Sequence, residues 1–324
     1  MLALVFRRLL HALAVVALAA TVTFALLHAA PGDPIAATLD HPTVSESVRA
    51  AWRAKYGLDR PASEQFVRYV GAAVRGDLGW SFTEQRPVRE VLGDALPRSV
   101  LLVGTALLLS LVAGIALGAW QAWRPRARVA RSLGGLAVAL HAAPEFALGL
   151  ALVTLFALKL ALLPSGGIAD PVLDSFAGPW ERVVDRARHL VLPAVALALG
   201  WTAIVARHQR GALRDVADDD FVRTARAKGA SERRVLFRHA LRASLAPTVT
   251  LLGLALPALV GGAVVTESVF AWPGMGLVAT RAVAARDYAL VTGAVIVGSA
   301  AVALGSLLAD VLVALVDPRQ RERA

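Results

Sequence analysis

Side chains able to do covalent or acid–base chemistry are sparse in this chain and poorly spaced for it. There is no cysteine, which excludes disulfides, thiolate metal sites and a cysteine nucleophile. The seven histidines are scattered, and no nucleophile with its base, or His/Asp/Glu ligand set, converges in the sequence. No catalytic residue, metal or cofactor is expected. A G-x-x-x-x-G-K-[ST] phosphate loop is also missing: of the three lysines, Lys55, Lys159 and Lys228, none follows a glycine. Two features remain. One is Glu145, directly after Pro144 and near the middle of a long apolar run. An acid at that depth is a functional candidate by default. Two readings of it are open: a group on a hydrated route that meets a cationic solute, or a structural acid, protonated or hydrogen-bonded at a contact with a partner chain. His28, His141 and Asp310 lie nearer the ends of apolar runs, where interfacial roles are commoner. The other feature is a basic stretch, residues 207–242, with ten Lys and Arg.

The elements that must position these residues follow from composition. The 324 residues are 57% hydrophobic with a mean hydropathy of +0.60, above the ~45–50% apolar content of soluble domains. Charged residues fall to 18% and are clustered, as a bilayer requires, since a charge at mid-membrane costs on the order of 2.5–3.5 kcal/mol on insertion scales. The net charge of +10 resides in short segments between apolar runs. It lacks the basic face with interleaved aromatics that a nucleic-acid partner would need.

A spanning helix takes about 20 apolar residues. Windows without Asp, Glu, Lys or Arg cover residues 9–32, 99–123, 132–158 (broken only by Glu145), 189–206, 243–266 and 288–309. The expectation is an all-α integral membrane protein with six transmembrane helices, the fourth being the shortest. Arg7, Arg8 and Ala17-Leu18-Ala19 resemble a signal peptide with its cleavage site. The apolar run continues well past that site, which favours a retained helix.

Basic residues set the orientation. The N-terminus, 121–131, 207–242 and the C-terminal tail together hold 19 basic and seven acidic residues. Segments 33–98, 159–188 and 267–287 hold 15 of each. The short segment 121–131 has four Arg and no acid and carries the decision: by the positive-inside rule both termini are cytoplasmic. The chain then divides into 1–32 (tail and first span), a long periplasmic loop 33–98, and a core 99–324.

Within 33–98, Thr43 and Glu46 form a capping box ahead of Val44, Val48, Ala51, Trp52 and Tyr56 at helical spacing. Pro61 suits a first helical position, followed by Phe66, Val70, Ala73 and Val74 and stopped at Gly76. Two short amphipathic helices are expected. They either dock a substrate-delivering protein or cap the membrane domain. Phe270-Ala271-Trp272-Pro273-Gly274-Met275-Gly276 predicts a tight turn with aromatics suited to the membrane interface.

In 207–242, Asp218-Asp219-Asp220 supplies N-cap and dipole-complementing carboxylates for a short helix from Phe221 to Lys228. Gly229 fits a left-handed stop, and Ser231 N-caps a second helix carrying Arg233, Arg234, Arg238 and Arg242 into the fifth span. A capped helix on a glycine joint is a mechanical lever. Charge alone would equally suit anchoring to anionic headgroups.

The stretch Phe221-Val222-Arg223-Thr224-Ala225-Arg226-Ala227-Lys228-Gly229-Ala230-Ser231-Glu232-Arg233-Arg234-Val235-Leu236-Phe237-Arg238-His239-Ala240-Leu241-Arg242 closely resembles the coupling loop of ABC-importer inner-membrane permeases of the dipeptide, oligopeptide and nickel branch. Pro31-Gly32-Asp33-Pro34, Gly57-Leu58-Asp59-Arg60-Pro61, Gly76-Asp77-Leu78-Gly79, Arg86-Pro87-Val88, Leu163-Pro164-Ser165-Gly166, His189-Leu190-Val191-Leu192-Pro193, Ala285-Arg286-Asp287-Tyr288 and Asp317-Pro318-Arg319 are similar to that family in the same order. The long first outer loop is similar to that of the first permease subunit of such binding-protein-dependent systems. The wider superfamily pattern E-A-A, three residues, Gly, nine residues, I-x-L-P is replaced here by Arg223-Thr224-Ala225 and His239-Ala240-Leu241-Arg242, with Pro delayed to 247; the peptide/nickel branch looks like this too.

The resemblance implies a transporter subunit that is not itself an enzyme. Its implied partners are a second permease (a heterodimer), two cytoplasmic ATPase subunits and an extracytoplasmic solute-binding protein, in the bacterial inner membrane among its lipids. By the same resemblance, Asp220, Phe221, Arg223, Thr224, Ala225, Arg226, Ala227, Lys228, Gly229 and Arg233 would couple to an ATPase. Glu145 is the candidate for the translocation pathway. No motif separates peptide, nickel chelate, glutathione or sugar-like cargo. The rival reading, an ion-coupled secondary transporter, usually shows repeated halves or interrupted spans with several buried ionisable groups; here there is no convincing repeat and one central charge.

Overall fold

The computed structural model describes residues 2–29 and 59–316. The capping box at Thr43, the helix expected after it, the motifs at 31–34 and 317–319, and the side chains of His28 and Asp310 lie outside the described residues. Chain contacts divide the protein into two compact units, one built mainly from residues 99–273, the other from 6–98 and 274–303.

The elements are helical apart from one two-stranded hairpin. In order they are α1 (Leu2–Ala29), α2 (Ala62–Val74), β1 (Trp80–Ser81), β2 (Arg86–Pro87), α3 (Val88–Trp123), α4 (Arg128–Ala142) and α5 (Glu145–Leu152), which continues as a π-helical stretch Val153–Lys159. Then come α6 (Pro171–Phe176), α7 (Pro179–Ala217), α8 (Asp220–Ala227), α9 (Glu232–Arg234), a second π-helical stretch Val235–Ala240, α10 (Leu241–Val269), α11 (Met275–Ala284) and α12 (Tyr288–Val316). Among the described residues four helices are long and apolar enough to cross a membrane: Phe6–Leu27, Val88–Trp123, Pro179–Ala217 and Tyr288–Leu307. A fifth span results if α4 and the helix after it count as one. Residues 243–266 fall within the 29-residue α10, part of whose side chains lie outside the described set.

Three expectations are revised. The window 132–158 is not one straight span: α4 and Glu145–Lys159 are bent by 111°. Pro144 disfavours helical backbone at the residue before it, and Ala143 is extended at φ −75°, ψ 142°. The fourth window is not the shortest element. It is the middle of the 39-residue α7, a rod of about 58 Å that absorbs the first part of the expected loop 207–242. The aromatics of the turn after α10 are not interfacial. Phe270 and Trp272 are each 1% exposed, because Phe270 packs with Leu192 and Ala196 of α7 and Trp272 with Leu102, Ala106 and Leu197. The left-handed residue of that turn is Ala271, φ 48°, rather than one of its glycines.

In the unit built from residues 99–273, α3, α7 and α10 share an apolar core. Helix α3 approaches α7 closely at Gly118, where an added Cβ would stand 2.4 Å from the Ala206 carbonyl oxygen. Small residues permit such contact between apolar helices, where dispersion is the main attraction.

In the other unit, Phe24 of α1 meets Phe66 of α2 edge-on with centroids 5.2 Å apart and stacks on Tyr69 at 6.4 Å. Pro61 stands at the N-cap of α2, one place earlier than expected, and Gly76 closes its far end at φ 79°. Asp287, 2% exposed, caps α12 through Leu290 N–H at 3.1 Å. Its other oxygen accepts from Ser81 Oγ at 2.6 Å and Thr83 N–H at 3.1 Å. One buried carboxylate thus ties the hairpin to a helix start. On α1, Leu9, Leu13, Leu18 and Leu26 are exposed, an apolar surface suited to lipid.

Candidate functional site

The basic stretch folds into a short handle. Helix α8 begins at Asp219, which occupies the N-cap position without a side-chain capping bond; the three aspartates complement the helix dipole through charge. Its end is a Schellman motif: Ala230 N–H donates to the Ala225 carbonyl at 3.2 Å and Gly229 N–H to that of Arg226 at 2.9 Å. Gly229 sits at φ 77°, a conformation that disfavours a Cβ.

Two residues root the handle. Val222 is fully buried and Ala225 is 9% exposed; they are three apart and share one face. They pack into a cluster with Ala119 of α3, Leu213 of α7, Val235 and Ala240. The expected coupling residues Asp220, Phe221, Arg223, Thr224, Arg226, Ala227, Lys228 and Gly229 are exposed, as is Arg233 at the start of α9; only Ala225 faces inward. Arg226 braces the joint, with its guanidinium 5.3 Å from the Trp123 ring centroid and its Nε donating to Glu232 at 3.0 Å. Phe221, 44% exposed, is a large apolar side chain on an otherwise polar outer face.

Behind the handle lies a buried polar clamp that no sequence pattern marked. Gln209 of α7, fully buried, donates through Nε2 to Ser244 Oγ at 2.8 Å and accepts from Thr248 Oγ1 at 2.7 Å. Ser244 passes its own proton to the Leu241 carbonyl at 3.0 Å. Every member is satisfied, which is the condition for such a network to rigidify apolar surroundings. It fastens together the two long helices flanking the handle.

Glu145 is placed at the break, as the first residue of α5, and not within an unbroken span. It is half-buried and accepts a hydrogen bond from Thr266 Oγ1 of α10. The next residue, Glu267, is 1% exposed and accepts from Ser99 Oγ of α3 at 2.5 Å. By sequence Glu267 falls in the outer segment 267–287, and a lone acid at the edge of an apolar run gives no sign of inward packing. Handle and break do not converge. They are joined by α10, along which Leu241 and Thr266 are about 37 Å apart.

The geometry therefore offers a short rooted helix, a rod and a tethered break; among the described residues no group of three or more His, Asp or Glu side chains is placed to hold a metal. Comparison with known proteins decides the family. Residues 114–322 match the model of the binding-protein-dependent transport system inner membrane component, and residues 1–103 match the N-terminal model of such membrane components. The chain belongs to this permease family. Among its relatives, the oligopeptide transport system permease protein AppB of Bacillus subtilis is 35% identical over 320 residues, covering 98% of this chain and 99% of the relative. The oligopeptide transport system permease protein OppB of Mycobacterium tuberculosis is 36% identical over 321 residues, covering 97% and 98%. A chain from inward-facing conformations of the MetNI methionine ABC transporter matches with a TM-score of 0.53 at 17% identity, covering 70% of this chain and 96% of that one. That likeness extends the permease fold to this chain. As a permease of this family, the protein is an inner-membrane component.

Proposed function

We propose that this chain is one transmembrane half of an ATP-driven importer of peptides or similar small solutes, with six spans and both termini cytoplasmic. It pairs with a second permease as a heterodimer, stands on two cytoplasmic ATPase subunits and receives its cargo from an extracytoplasmic solute-binding protein. The relatives named as oligopeptide permeases support the cargo class, and the surplus of basic over acidic residues on one set of segments supports the orientation.

The observation that carries the mechanism is the division of labour on α8. Val222 and Ala225 root it in the permease core, leaving a polar outer face centred on Phe221 for another protein. An ATPase that grips this face moves α8, and the fastened pair α7 and α10 follows. The far end of α10 bears Thr266 and the break at Glu145. A force on one side of the membrane therefore reaches a hinge deep in the protein, as alternating access requires.

Ala225→Pro tests this directly. Proline in the interior of α8 costs about 3 kcal/mol and destroys the handle's shape. The variant should insert normally yet lose ATP-dependent uptake and copurification with the ATPase. Full uptake with normal attachment would refute the lever.

A further inference from the structure

Away from both the handle and the break, α3, α4 and α7 enclose a cavity of about 460 Å³, within the roughly 300–1,000 Å³ of small-molecule sites. Arg131 of α4 and Arg207 and Arg210 of α7 line it, together with Gln121 of α3. Deeper along the same helices, a turn or more from the arginines, it is lined by Leu117 and Val138. Gln121 donates to the Ala130 carbonyl at 3.2 Å and so holds α3 against the start of α4 at the cavity mouth.

None of the three guanidiniums has an ion pair or hydrogen bond among the described residues. Arg131 and Arg207 are exposed and Arg210 is half-buried; three like charges around one opening still repel each other, though less than in an enclosed site. A bound anion removes that cost. Guanidinium is the cation best matched to phosphate oxygens. The lining also changes character along the helices, from cationic near the end of α3 and the start of α4 to aliphatic further in. A free anion would use only the first part. A lipid uses both.

We infer that this cavity is a binding site for an anionic phospholipid, with the headgroup phosphate held by Arg131, Arg207 and Arg210 and part of an acyl chain lying along Leu117 and Val138. Basic pockets between membrane helices are a recurrent form of lipid recognition. The site gives a role to Arg131, one of the four arginines of the acid-free segment 121–131. Only the assignment to the cytoplasmic leaflet rests on the orientation proposed above; the site itself does not.

The test uses the full-length chain purified with its partner subunits, titrated with phosphatidylglycerol or phosphatidylcholine and read by native mass spectrometry. Wild type should retain phosphatidylglycerol with about tenfold to hundredfold preference, as three nearby cations imply. Replacing all three arginines with glutamine should abolish the preference, and replacing them with lysine should keep most of it. Gly135→Leu is the second arm. Gly135 lines the cavity, and an added Cβ there meets nothing within 4 Å, so leucine fills the space with every arginine in place and improves helix propensity. Lipid retention should fall in this variant as well. Undiminished preference in the glutamine or leucine variant overturns the site. Displacement of the lipid by inorganic phosphate, with no dependence on Gly135, overturns the lipid assignment in favour of a free anion. Loss of ATPase copurification in wild type would count against the proposed function and leave the lipid result standing.

Discussion

The handle at α8 and the break at Glu145 are both small irregularities hung on long helices, but they are held differently. Val222 and Ala225 anchor the handle through apolar packing, with its charges turned outward. The break adds a polar pair, Thr266 to Glu145, to the packing of Gly149 against Val269 and Phe270. Apolar packing draws on many contacts and resists any one polar change on the outer face. The polar pair rests on one hydrogen bond and can be cut by one substitution.

Substitutions follow that contrast. Val222→Asp places a charge in the handle's root and should cost on the order of 4 kcal/mol, abolishing uptake and ATPase copurification together. Phe221→Ala, on the outer face, should leave the melting temperature unchanged while weakening attachment. Equal loss of stability in both variants would erase the distinction between root and grip. At the break, Glu145→Gln keeps an oxygen to accept from Thr266 but removes the charge, whereas Thr266→Val keeps the acid and removes the tether. If the charge serves the pathway, the first should lower uptake about tenfold, roughly 1.4 kcal/mol, with ATPase recruitment intact; the second, which cuts one link between α10 and the break but leaves their apolar packing, should lower uptake by less. Unchanged uptake in Glu145→Gln removes the residue from the pathway.

Between the two regions, Gln209→Leu leaves Ser244 and Thr248 without their partner. Interhelical hydrogen bonds in membranes contribute about 0.6–2 kcal/mol each, so the expected effect is a modestly lower melting temperature and fewer solutes moved per ATP. An unaltered transport-to-ATPase ratio would show that α7 and α10 need no clamp. The smallest effect is expected on the hairpin. Arg86 donates to Asp94 at 2.7 Å and ties β2 to the start of α3. Exposed ion pairs of this kind contribute about 0–1 kcal/mol. Arg86→Gln should therefore lower the melting temperature only slightly, and no change at all would dismiss the bridge.

Much of the handle was legible in advance because its cues are local. Three aspartates and Gly229 act within a few residues of one another, and helix ends obey such short-range rules. The N-cap shows the limit of that reading: Asp219 has the position, and its side chain makes no capping bond. The break was half legible. Pro144 was in view, but a proline inside an apolar run is compatible either with a continuous helix, as at Pro193 within α7, or with a sharp bend. The outcome depends on what packs around it. Gln209, Glu267 and Asp287 were not legible as anchors, since their partners lie 35, 168 and 206 residues away.

Composition and charge placement sufficed to establish that this chain is helical and membrane-embedded, and short-range motifs sufficed to locate the short helix α8. Both depend on energies that each segment carries alone: transfer of apolar side chains from water, the expense of charges in hydrocarbon, and backbone preferences at glycine and proline. Folding in three dimensions was needed to turn Phe270 and Trp272 inward, to bend the chain by 111° at Pro144, to join Gln209 with Ser244 and Thr248, and to gather three arginines around one cavity. Those outcomes arise from pairings between distant segments, whose free energies exist only once the helices meet.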